Sequence, residues 1–138
     1  MHDFDRCIGV ELLESLYNKS VELKSVYDTA ARSEELTGTP KFEVFHDDLL
    51  QYDWWTDADI VLANSTCFEY TLMLKIAEKA SLMKKGSWMI TLTKKLPTAD
   101  PLHTKMLEEE KREWYCELSV KMIMSWGYAT VNLQRKIR

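Results

Sequence analysis

A mostly parallel α/β sheet with helices packed on it is the fold class this sequence predicts, and three observations predict it. Short apolar runs alternate with long segments whose apolar residues recur at the helical period, the order that βαβ crossovers produce. The last part of the chain instead carries two adjacent strand-like runs, which read as a hairpin added at the end. The size and make-up fit one domain: 138 residues, 46% hydrophobic and 29% charged, with only four glycines and three prolines.

Arg6-Cys-Ile-Gly-Val-Glu11 is a short apolar run ending in an acid and suits a buried strand. Leu12 to Leu36 repeats apolar residues at 12, 13, 16, 20/21, 23, 27, 30 and 31, the pattern of an amphipathic helix. Thr37-Gly38-Thr39-Pro40 stops it. Lys41 to Phe45 alternates as a strand, and Asp47-Asp48 turns the chain. Asp59-Ile-Val-Leu-Ala-Asn64 reads as another buried strand. Thr66 followed by Glu69 has the form of a capping box, opening a helix to about Met83 with Leu72, Ile76, Ala77 and Ala80 on its inner face. Lys84-Lys-Gly86 closes that helix, and Ser87 to Thr93 makes a third buried strand. Lys94 to Glu113 is polar, holds Pro97 and Pro101, and reads as an exposed connector. Trp114 to Met124 and Tyr128 to Lys136 complete the hairpin around Trp126-Gly127. The expected organisation over 1–138 is therefore a βαββαβ core at 6–93, a connector at 94–113 and a hairpin at 114–136.

The charge balance narrows the function. Eighteen basic against 22 acidic residues give a net charge of −4, which argues against direct DNA contact by this segment. Cys7, Cys67 and Cys116 lie far apart, without zinc-ligand spacing, and no metal is expected. There is no P-loop and no supportable Ser/His/Asp set. No apolar run is long enough to span a bilayer, no secretory leader is visible, and three cysteines without one suggest reduced thiols inside the cell.

In parallel sheets ligands bind beyond the carboxyl ends of the strands. That rule selects Glu11, the Asp47-Asp48 pair and Asn64. A carboxylate at Glu11 suits the two hydroxyls of a ribose, or is simply a solvated acid at a helix start. Asp48 beside Leu49 suits an adenine, the acid on its amino group and the leucine on its face, or is a turn aspartate. Asn64 offers an amide for a reacting group, or serves as a helix-entry residue. Phe68 walls a pocket there or belongs to the core.

Taken together, Ile8-Gly-Val-Glu11, Asp48-Leu49-Leu50, Ala58-Asp-Ile-Val-Leu-Ala-Asn-Ser65 with Phe68, Thr93-Lys94, Glu117-Leu-Ser119 and Ser125-Trp126-Gly127 follow one family's order over residues 8 to 127. The chain resembles class I S-adenosylmethionine-dependent methyltransferases, and more narrowly the disruptor-of-telomeric-silencing family of histone H3 lysine methyltransferases. The resemblance implies a Rossmann-like sheet, S-adenosylmethionine as methyl donor, histone H3 in the nucleosome as partner, and a nuclear setting. It implies that Glu11 holds the donor's ribose, that Asp48 and Leu49 hold its adenine, and that Asn64 and Phe68 shape the lysine channel. The family opens with a strand and a glycine-rich loop that this chain lacks, so the chain is expected to be the C-terminal part of a catalytic domain. The absent strand is central in the family's sheet, and two unpaired edges left by it would favour self-association. The last strand, Tyr128-Ala-Thr-Val-Asn-Leu-Gln134, does not align a tyrosine with the family's channel aromatic. The competing readings are a class I methyltransferase with another substrate, a non-catalytic interaction module, and a nicotinamide-binding protein.

Overall fold

The computed structural model describes residues 4–33, 40–97 and 113–138, with backbone alone at 31–33. The described chain forms two compact units, Met1–Asp53 and Trp54–Arg138.

The first unit is a β-α-β element. Strand β1 (Arg6–Glu11) and strand β2 (Lys41–His46) pair in parallel, Arg6 opposite Lys41 and Glu11 opposite His46. Helix α1 (Glu14–Ser33) connects them. It starts two residues later than its periodicity suggests, because the Glu11 carboxylate accepts the Leu13 N–H at 2.8 Å and holds residues 11–13 in an entry turn. The helix packs through rings: Tyr17 stacks on His46 with centroids 5.1 Å apart, and Tyr27 meets Phe42 edge-on at 5.8 Å. Its expected stop at 37–39 lies outside the described residues.

The second unit holds β3 (Ile60–Ala63), α2 (Tyr70–Ala80), β4 (Trp88–Leu92), β5 (Trp114–Met124) and β6 (Gly127–Lys136). The strands lie in the order β3-β4-β6-β5, with β3 and β4 parallel and the other pairs antiparallel. The terminal hairpin is present as the sequence predicts. Gly127 turns it at φ 130°, a backbone region that L side chains avoid. A bulge between Cys116 and Leu118 shifts the register of β5.

Every fully buried side chain among the described residues belongs to the second unit. Register places Met89, Thr91, Asn132, Gln134 and Lys136 on one face, and all are buried. Helix α2 contributes Met73, Ile76, Ala77 and Ala80, and its end is fastened where Lys136 Nζ donates to the Ser81 carbonyl at 2.8 Å.

Five local expectations are corrected. Neither the 6–11 nor the 59–64 segment is a buried strand: Ile8 is 41%, Ile60 44% and Leu62 68% exposed. Strand β3 pairs with β4 alone, and among the described residues no strand takes its other edge. The capping box does not form. Residues Ser65–Cys67 make a short 3-10 turn, Phe68 is extended, and the helix begins only at Tyr70 with no side-chain cap. Thr66 binds the Asn64 side chain instead, a local hydroxyl bond that competes with capping. The helix ends at Ala80 rather than Met83, and Met73 rather than Leu72 reaches the core. In the connector, Leu96 is buried, and its N–H donates to Oε1 of the buried Gln134 side chain at 3.1 Å. Residues 98–112 of that connector lie outside the described set.

Candidate functional site

In the first unit, parallel pairing brings Glu11 and the Asp47-Asp48 turn to the same end of the two-stranded sheet. The Asp47 N–H donates to the Glu11 carbonyl at 3.2 Å. Both candidate carboxylates are half-buried and half-engaged. Glu11 uses Oε1 on Leu13 N–H, and Asp48 uses Oδ1 on Leu50 N–H at 2.8 Å. Their second oxygens have no partner among the described residues. Leu49 sits half-buried beside Asp48 in a turn closed by Gln51 and Tyr52 N–H on the Asp48 carbonyl. Two acceptors and one apolar side chain at adjoining strand ends fit the hydroxyls and base of a nucleoside.

In the second unit, β3 and β4 end side by side, and their carboxyl ends are stitched together. Asn64 is exposed at the end of β3. The fully buried Ser65 hydroxyl donates to the Leu92 carbonyl at 2.6 Å and lies 3.2 Å from the Lys94 carbonyl. The Thr66 hydroxyl donates to Asn64 Oδ1 at 3.1 Å and lies 3.3 Å from the Thr93 hydroxyl. Lys94 Nζ donates to the Phe68 carbonyl. Thr93 has φ 68°, the one non-glycine residue with positive φ among the described residues. For a β-branched side chain that is a strained conformation.

Beside this stitch lies a cavity of ≈ 410 Å³ whose walls include Tyr70, Thr93, Lys94, Leu96, Ser119 and Asn132. Asn132 is held by the Ser119 hydroxyl, which donates to Asn132 Oδ1 at 2.8 Å. The structure thus sets Glu11 with Asp48 and Leu49 in one unit, and Asn64 with Phe68 in the other. Sequence reasoning did not find Thr66, Thr93, Lys94 or Asn132 as site candidates. Thr93-Lys94 appears in the resemblance, but nothing in Leu92-Thr93-Lys94 marks a positive φ, which glycine or asparagine ordinarily signals. His46 Nε2 lies 3.0 Å from the Leu12 carbonyl. Among the described residues no group of three or more His, Cys, Asp or Glu could hold a metal ion.

No family model matches the chain, and no curated protein matches it in sequence. Solved structures do match. An rRNA methylase from Streptococcus thermophilus superposes with a TM-score of 0.58 at 11% identity, over 96% of this chain and 74% of that one. The N-methyltransferase NodS from Bradyrhizobium japonicum gives a TM-score of 0.57 at 10% identity, over 96% and 74%. At such identities the likeness speaks for architecture alone, and the architecture is the α/β fold of class I methyltransferases.

Proposed function

We propose that this chain carries the donor and acceptor residues of an S-adenosylmethionine-dependent N-methyltransferase acting on a lysine of histone H3 in the nucleus. The observation that carries the reading is the cluster at the carboxyl ends of β3 and β4. There Asn64 and Phe68 are tethered, through Thr66 and Lys94, to the edge of a cavity whose wall includes Ser119 of the Glu117-Leu-Ser119 motif.

In this reading Glu11 binds the ribose hydroxyls of the donor, while Asp48 and Leu49 take its adenine. Bound S-adenosylmethionine supplies an electrophilic methyl group on a sulfonium. The acceptor residues' contribution is to hold a neutral amine and to exclude water. Lys94 and Lys95 both line the cavity. Cations there disfavour an entering ammonium, so they favour the neutral amine, which is the nucleophile.

Calorimetric titration of S-adenosylmethionine into the full chain, with Glu11→Ala and Asp48→Ala as controls, tests the donor half. Saturable binding weakened by both changes is expected. Radiolabelled methyl transfer to recombinant nucleosomes, lost in Asn64→Ala, tests the acceptor half. Donor binding without label on H3, or label on RNA instead, would remove the histone assignment.

A further inference from the structure

The turn at Thr93 is tethered from both β3 and β6, and its strain has no explanation in packing. Thr93 N–H donates to the Thr130 carbonyl at 2.6 Å, and Lys94 N–H closes a three-residue turn on the Leu92 carbonyl at 2.8 Å. Ser65 fastens the same turn from the β3 side. The Thr93 side chain is exposed, so it does not fill the core. A glycine would adopt φ 68° without the steric cost that a β-branched residue carries. What the threonine adds is a hydroxyl 3.3 Å from that of Thr66, which in turn holds Asn64 at 3.1 Å.

We propose that Thr93 is a positioning residue: its left-handed turn presents a hydroxyl that orients Asn64 through Thr66. The strain is retained because relaxing the turn would release that relay. The assignment deepens the methyltransferase reading by naming what sets the acceptor-side amide. Its kinetic arm rests on that reading, and its spectroscopic arm does not.

The test uses the full chain with Thr93→Gly, Thr93→Ser and Thr66→Val. The side-chain amide resonances of Asn64 are followed by ¹⁵N NMR, and melting temperatures are measured alongside. Thr93→Ser keeps the hydroxyl and should leave the Asn64 signals in place. Thr93→Gly and Thr66→Val should shift and broaden them, while the melting temperature of Thr93→Gly holds or rises. Where methyl transfer is measurable, both disrupting changes should lower kcat about tenfold or more, the scale of a misplaced reacting group, with donor affinity unchanged. Asn64 signals that ignore Thr93→Gly would overturn the assignment. So would a melting temperature that falls in step with turnover, which is the mark of a merely structural residue. Absence of methyl transfer in the unsubstituted chain would count against the proposed function, and the NMR arm would still decide the role of Thr93.

Discussion

Glu11 shows how one side chain can serve fold and site together. One oxygen shapes the entry to α1 through Leu13, and the other has no partner among the described residues. Removing the carboxylate deletes the charged hydrogen bonding proposed for the ribose, worth about 1.5–3 kcal/mol in all. Glu11→Ala should therefore weaken donor binding by about ten- to a hundredfold in a calorimetric titration. Unchanged affinity would take Glu11 out of the site. The placement of Glu11, Asp48 and Asn64 at strand ends was legible, because strand ends follow from apolar runs bounded by polar residues; their roles remain those proposed. Thr66 and Thr93 were not. A hydroxyl that caps a helix and one that bonds a neighbouring amide look alike in sequence, and the choice was made by Phe68 leaving helical geometry.

The strands and helices were legible nearly throughout, since β1, β2, β4 and the hairpin follow from apolar runs and turn residues that tertiary contacts reinforce. What the sequence hid was the fastening between elements. Lys136 is an example: its side chain is 4% exposed, it donates to the Ser81 carbonyl and to Glu113 Oε2, both at 2.8 Å, and it lies over the Trp114 ring. It joins β6 to the end of α2 and the start of β5. Lys136→Met should keep the packing volume yet cost about 1–3 kcal/mol by denaturant unfolding, the range for leaving hydrogen-bond partners unmet. The partner Glu113 remains 44% exposed, so the penalty of a stranded buried charge does not arise. No effect on stability would make the ion pair incidental. In the other sheet, Glu43 bridges Lys41 and Arg6, and these two cations hold its carboxyl below the ordinary value of 4.5. A lowered folded value means the stabilisation is present above that ordinary value and fades as pH falls through the folded one. The stability difference between the natural chain and Glu43→Gln should accordingly be small at neutral pH, since the pair lies at the surface, and should close in acid. A difference that widens on acidification would reverse the sign of the argument.

At the scale of the whole molecule, the two units differ in what holds them. Unit Trp54–Arg138 owns every fully buried side chain among the described residues, with Met73, Ile76, Met89, Leu96 and Trp114 at its centre and four strands in one ladder. Unit Met1–Asp53 has two strands, one helix and ring contacts on a half-buried surface. A two-stranded sheet is marginal in water, and a unit of this size buries too little surface to offset much chain entropy. Local opening free energies track such differences in burial and contact. Native-state hydrogen exchange should therefore show the amides of β4 and β6 as the slowest in the chain, with those of β1 and β2 exchanging markedly faster. Because the proposed donor residues sit on the weaker unit, a bound donor should slow exchange in β1, β2 and the 47–52 turn by binding only the closed form. The β4 and β6 amides need not respond in the same proportion, since they open by a separate and costlier route. Equal exchange rates in the two units would mean that the first unit draws stability from a source outside its own contacts. Protection on donor addition confined to β4 and β6 would move the donor site away from Glu11 and Asp48 altogether.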